Sequence, residues 1–105
     1  MPTVDSQSTI AAMVNFTGAT PPVITCGKGI VSVTRTAAGI FVVTLEAGGI
    51  DASECVVATS VGLGTAQMLS VVHTSDTVKT ILSFSDAGAA ADPTFVNLVF
   101  FNCRS

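Results

Sequence analysis

One stretch decides the fold class of this chain: Gly29-Ile-Val-Ser-Val-Thr-Arg-Thr-Ala-Ala-Gly-Ile-Phe-Val-Val-Thr-Leu45. Both halves are rich in β-branched residues whose side chains alternate between two faces, which is typical of strands. In the first half, this alternation places Val31, Val33 and Arg35 on one face. Ala37-Ala-Gly39 separates the halves, and a short loop that ends in glycine is typical of hairpins. The stretch therefore predicts two antiparallel strands, 29–36 and 40–45, joined by a three-residue loop.

Short apolar stretches and turn residues continue along the rest of the chain. Valine and threonine, which favour strands, occur 15 and 14 times, and no segment keeps a helical period over three turns. The other strand candidates are 10–16, 23–26, 55–61, 66–73, 77–84 and 94–102, and Gly27-Lys-Gly29 is predicted to form a turn after 23–26. About eight short strands with brief connections predict an all-β fold, an antiparallel β-sandwich of jelly-roll-like form. We assign residues 10–105 to this single domain and the mostly polar residues 1–9 to an extended N-terminal arm.

Charged residues are scarce for a chain of this length. Only 10% of the 105 residues are charged and 49% are apolar, whereas about a quarter of residues are charged in typical globular domains. This composition excludes a disordered chain. A domain this small leaves roughly a third of its surface exposed, so that surface is either rich in Ser and Thr or covered by another protein. The composition therefore favours an oligomer or an assembled structure.

The charge pattern argues against nucleic acid as a partner. The net charge is −3, and the four basic residues are scattered along the chain: Lys28, Arg35, Lys79 and Arg104. Phosphate backbones are bound by clustered Lys and Arg. We also expect no membrane partner, because no apolar run reaches the roughly 18–20 residues that a spanning helix needs. The first eight residues lack the basic and apolar regions of a signal peptide.

We expect no catalytic residues in this chain. His73 is the only histidine, and Ser70 or Ser75 together with Asp76 would have to complete a Ser-His-Asp set around it. The chain has no G-x-S-x-G motif, and the polar end of a strand explains His73 better. The acidic residues that could pair lie beside turns, where Asp is common without catalysis: Asp51 with Glu54, and Asp86 with Asp92.

Metal and cofactor sites are not expected either. Cys26, Cys55 and Cys103 have no CxxC spacing, so we expect reduced, buried thiols rather than a zinc site. A calcium site at Asp86 or Asp92 would lack the D-x-D-x-D-G pattern. The glycine pairs at 27/29 and 62/64 lack the G-x-G-x-x-G pattern of a dinucleotide site.

The last strand candidate, 94–102, is apolar on both faces. Because adjacent strand residues point to opposite faces, Phe100 and Phe101 cannot both lie on one side. Either both sides of this strand are buried within the single chain, or one side forms an interface between subunits. For the second alternative, the candidate subunit-interface residues are Phe95, Val99, Phe100 and Phe101.

Three stretches of the chain are similar, in order, to sequence elements of one protein family. They are Ala12-Met-Val-Asn-Phe-Thr-Gly18, the hairpin residues 31–45, and Asp92-Pro-Thr-Phe-Val-Asn-Leu-Val-Phe-Phe101. They resemble, in the same order, the A-W-V-N-F-x-G, V-x-x-V-x-R-x-x-x-G-x-Y-x-V-x-F and closing-strand elements of bacteriophage virion surface proteins, a family of small β-sandwich tail-fibre, spike and capsid decoration modules. Met13 stands where that family usually has Trp, Phe41 replaces the Tyr, and a long collagen-like or helical stalk is missing from the sequence.

The resemblance implies a β-sandwich that assembles as a homotrimer on a virus particle, with the major capsid or tail protein as its partner. It favours a structural virion protein, either a capsid decoration (cement) protein or a head or tail spike knob, assembled in the host cytoplasm and without enzymatic activity. Two other functions stay open. One is a host-receptor-binding (adhesion) module of a tail fibre that binds a cell-surface glycan or protein, and the other is a small hydrolase that uses His73.

Overall fold

The computed structural model describes residues 9–46, 56–61 and 67–102, and these residues form eight strands in two antiparallel sheets. The strands are β1 Thr9–Thr17, β2 Ile24–Lys28, β3 Ile30–Ala37, β4 Ile40–Leu45, β5 Val56–Val61, β6 Gln67–His73, β7 Val78–Ser85 and β8 Phe95–Asn102. Sheet I has the order β2-β1-β8-β5, and sheet II has the order β3-β4-β7-β6. The two sheets pack together, so the predicted all-β sandwich is confirmed.

The strands begin and end within two residues of their predicted bounds, and one turn prediction is wrong. Residues 27–29 were predicted to turn together, but Gly27 and Lys28 continue β2 because they pair with Val14 and Met13 of β1. Only Gly29 leaves the strand, with a φ of +74°. Of the predicted N-terminal arm, Thr9 opens β1, and residues 1–8 lie outside the described part of the chain.

One core lies between the two sheets. It is filled by alternate residues of β1, β4, β7 and β8, because every second side chain of a strand points to the same face. The rings of Phe16 and Phe41 meet across the core with centroids 5.5 Å apart. The buried apolar residues are Ala12, Val14, Phe16, Phe41, Val43, Leu45, Ile81, Val96, Leu98 and Phe100. Burial of this kind supplies the main driving force for folding.

Each sheet contains a pair of strands that are far apart in the chain, beside hairpins of consecutive strands. The first strand, β1, pairs with the last, β8, while β4 pairs with β7 in the other sheet. Since β5 pairs with the other side of β8, the last strand lies in the interior of sheet I rather than at an edge. This position explains why apolar residues occupy both of its faces: one face meets the core, and the other forms the middle of the sheet's outer surface.

Candidate assembly surface

The surface of sheet I that points away from the core is largely apolar. We call it the outer face of sheet I. Pairing places Met13, Val99 and Val57 in one row across β1, β8 and β5. A second row contains Asn15, Asn97 and Thr59, and a third contains Thr17, Phe95 and Val61. Ile10 and Phe101 pair beyond the first row. Apolar side chains therefore lie on both sides of a polar row.

Part of this apolar surface is open to solvent. The exposed fractions are 44% for Ile10, 49% for Val57 and 45% for Val61, and Phe95, Val99 and Phe101 are half-buried. The described strands of sheet I contain a single charged residue, Lys28, and it lies on the edge strand β2. Because Lys28 pairs with Met13, it lies at the edge of this outer face. The rest of the face is uncharged, and a contiguous apolar surface of this kind is typical of an interaction surface.

The structure separates the four predicted interface residues into two groups. Phe95, Val99 and Phe101 share the outer face of sheet I, because they are alternate residues of β8. Phe100 is fully buried in the core of the single chain. Phe100 therefore stabilises the fold and is not available to a second subunit, whereas the other three remain interface candidates.

The outer face of sheet II is a weaker candidate. It also exposes apolar residues, with Met68 and Val72 of β6 more than 40% exposed. Hydroxyl side chains interrupt it at regular positions: Ser32, Thr34, Thr44, Ser70 and Thr80. Hydroxyl groups can keep their hydrogen bonds to water, so this face has less need of a partner than that of sheet I.

An ion pair joins the hairpin β3–β4 to the loop that precedes β8. Arg35 Nη2 donates to Asp92 Oδ2 at 2.8 Å, and Arg35 Nε lies 3.1 Å from both carboxylate oxygens. Asp92 Oδ1 also accepts from the Gly39 N–H at 2.8 Å. Hydrogen bonds from Arg35, aided by that of Gly39, hold the pKa of Asp92 below its ordinary value of 3.8. Asp92 is therefore a structural clamp.

Because Asp92 is bonded to Arg35 and Gly39 in its charged form, we expect these contacts to contribute to stability in a pH-dependent way. Because the folded-state pKa of Asp92 is lowered, its contribution is fully present above pH 3.8 and is lost as the pH falls through the folded-state value. We expect Asp92→Asn to unfold at lower urea concentration than the wild type at pH 7, and the difference to shrink below pH 3.8. Urea titrations of both proteins from pH 7 to pH 2.5 measure this, and a difference that does not vary with pH would contradict it.

His73 does not lie in a Ser-His-Asp arrangement with the predicted serines. Its Nδ1 is 2.8 Å from Nζ of the buried Lys79, and its Nε2 is 3.7 Å from Asp76 Oδ1. Ser70 is three residues earlier on the same strand and therefore points to the opposite face. The Ser75 hydroxyl accepts from the Val78 N–H, and the Ser75 carbonyl accepts from Lys79 Nζ at 2.9 Å.

The remaining sequence candidates give no further site in the described ranges. Cys26 is exposed on β2, which corrects the prediction of a buried thiol, and Cys55 and Cys103 lie outside the described residues. Asp51, Glu54 and the glycines at 62 and 64 also lie outside them. Within residues 9–46, 56–61 and 67–102, no three His, Cys, Asp or Glu side chains come together as metal ligands. The same residues contain no helix long and apolar enough to cross a membrane.

No protein-family profile, curated protein or solved structure matches this chain.

Proposed function

We propose that this chain is a structural virion protein of a bacteriophage, which assembles as a homotrimer and decorates the particle. In this proposal it is a capsid decoration (cement) protein or a head or tail spike knob, and it contacts the major capsid or tail protein. The outer face of sheet I is the surface between subunits. The proposed role needs no cofactor and no catalytic residue.

One observation carries the proposal: the outer face of sheet I presents Phe95, Val99 and Phe101 with no charged neighbour on β1, β8 or β5. A small domain that exposes such a face gains free energy by covering it. The three stretches that resemble phage virion proteins support the same role, since they include β1, the β3–β4 hairpin and β8, which the fold brings together. Closed symmetry would also limit open-ended association through the strand edges.

The oligomeric state tests the first half of the proposal. Gel filtration with light scattering should give a mass three times the 10.6 kDa of the chain. The measurement should be repeated in 1 M NaCl, because contacts between apolar faces persist when salt screens charges. A wild-type chain that stays a monomer at about 100 µM, far above typical subunit dissociation constants, would contradict the proposal.

Particles test the second half. Phage particles that lack the protein should bind the purified chain in a fixed stoichiometry and should then release DNA at a higher temperature. A protein that binds host cells in isolation, and whose loss abolishes adsorption while the particles stay heat-stable, would instead be the receptor-binding module of a tail fibre. A purified chain that binds neither particles nor cells would contradict both the structural virion role and the receptor-binding role.

A further inference from the structure

A row of hydrogen-bonded polar side chains crosses the apolar outer face of sheet I. Asn15 Nδ2 donates to Asn97 Oδ1, and Thr25 Oγ1 donates to Asn15 Oδ1. Thr59 occupies the next position, because it pairs with Asn97 from the other side of β8. We call Thr25, Asn15, Asn97 and Thr59 the amide row. It extends over all four strands of sheet I.

The amide row lies between two rows that are mainly apolar. Met13, Val99 and Val57 flank it on one side, and Phe95 and Val61 lie on the other. Any partner that covers these apolar residues must also cover the row between them. Each amide has two N–H donors and an acceptor oxygen, and one bond between the amides leaves further groups to satisfy. Burial is therefore favourable only where the partner supplies matching donors and acceptors.

A second copy of the chain meets this requirement. An amide is both donor and acceptor, so identical rows can satisfy one another, as a buried Asn does in coiled coils. The chain carries a net charge of −3, but the described strands of sheet I contain no carboxylate, and their one charge, Lys28, lies on the edge strand β2. Copies can therefore approach through this face with few like charges opposed.

The face is large enough to form a substantial part of an interface with a second copy. Four strands of five to nine residues cover a flat area of roughly 19 Å by 24 Å at ordinary strand spacings. The relief of the side chains raises the accessible area above that flat value. The flat value of about 460 Å² is a little over half of the ~800 Å² that each partner contributes to a standard interface, so this face supplies a large part of one.

We infer that the amide row sets the register and the number of subunits in the contact between copies of this chain, by meeting the amide rows of the other copies at the symmetry axis of the trimer. This inference rests on the proposed assembly through the outer face of sheet I. The apolar rows supply affinity with little directional preference, since the hydrophobic effect is not directional. The amide row excludes displaced alignments, because any shift along the strands places buried amides against valine or phenylalanine.

The first experiment asks whether Asn97 faces a buried partner. Asn97→Asp keeps an oxygen that accepts from Asn15, so the single chain should fold normally. In an interface it places three like charges together, and we expect the dissociation constant to rise at least ~100-fold. The matched control is Ser70→Asp, on the exposed outer face of sheet II, which should leave the mass unchanged. An Asn97→Asp protein that is folded by circular dichroism and assembles like the wild type would overturn the inference.

The second experiment tests the register directly. Replacing both amides, Asn15→Val with Asn97→Val, makes the face apolar, while Thr25 Oγ1 keeps its bond to the Asn15 carbonyl at 3.1 Å. Native mass spectrometry should show that this variant still associates, but as a mixture of stoichiometries, whereas the wild type gives one. A variant that keeps the single wild-type mass would overturn the register role and leave the proposed assembly intact. A monomeric wild type would instead remove the assembly on which the inference depends.

Discussion

Phe100→Ser is expected to unfold the chain, whereas Phe101→Ser, one residue further, is expected to leave it folded. Phe100 is fully buried between the sheets. Removing such a ring costs about 3–5 kcal/mol, and a buried serine hydroxyl without a partner adds about 1–3 kcal/mol. A domain of this size has a total free energy of unfolding of about 5–15 kcal/mol. The loss of about 4–8 kcal/mol is of the same order as this total, so the Phe100→Ser protein is expected to be largely unfolded.

Phe101 provides the matched control because it has the same chemistry on the opposite face of β8. It is half-buried on the outer face of sheet I, where it pairs with the exposed Ile10. Its replacement should lower the stability of the single chain by about 1 kcal/mol or less, and it should weaken subunit association. Circular dichroism melting and light scattering separate the two effects. Equal loss of folded structure in both variants would show that Phe101 is a core residue rather than part of the interface.

Local alternation explains why the strands could be predicted. In a strand that is buried on one face, every second residue is apolar. The strand β4, from Ile40 to Leu45, therefore has the bounds that its sequence predicts. Alternation also placed Phe100 and Phe101 on opposite faces, but it could not say which of them meets the core. Which ring meets the core depends on the side of sheet I against which sheet II packs. The sequence of β8, which is apolar on both faces, does not indicate that side.

Bulges are the first feature that alternation misses. Val31 was predicted to share a face with Val33, yet it is 62% exposed, because the pairing of β3 with β4 shifts between Ile30 and Ser32. One extra residue in a strand reverses the alternation for the residues that precede it. Nothing in a run of β-branched residues marks where such a shift occurs.

The polar contacts of the structure were not predicted, because they join distant parts of the chain. Asn15 and Asn97 are 82 residues apart, and Arg35 and Asp92 are 57 apart. Each residue by itself is an ordinary polar position on a strand or beside a proline. Only the pairing of the first strand with the last, and the return of the β7–β8 loop to the hairpin, bring the partners together.

Three described glycines have a left-handed backbone conformation: Gly29, Gly39 and Gly88. Among alanine substitutions at these positions, we expect Gly39→Ala to lower the stability most. Gly39 has a φ of +72° in the β3–β4 turn, a conformation that costs an L-residue about 1–2 kcal/mol. An added Cβ would also lie 2.5 Å from the Ser83 carbonyl oxygen and 2.9 Å from the Ala91 nitrogen. Both contacts are backbone, so no side-chain rotation relieves them.

Moving the turn away from Ser83 would disturb the bonds that hold it. The Ser83 N–H donates to the Gly39 carbonyl at 2.7 Å, and the Gly39 N–H donates to Asp92 at 2.8 Å. We therefore expect Gly39→Ala to lose more than about 3 kcal/mol, from the left-handed conformation together with the displaced bonds. For a domain of this length that loss corresponds to a fall in Tm of more than about 10 °C.

Gly88→Ala isolates the contribution of backbone conformation, since Gly88 has a φ of +84° and no atom within 4 Å of the added Cβ. It should lose about 1–2 kcal/mol, which is the left-handed cost without the steric overlap. Chemical denaturation of the two variants beside the wild type therefore measures the close approach at Gly39 as a difference between two alanine substitutions. If the two variants lose the same stability, the β3–β4 turn can move away from Ser83 and Ala91. Contact with the β7–β8 loop would then not hold the position of the turn.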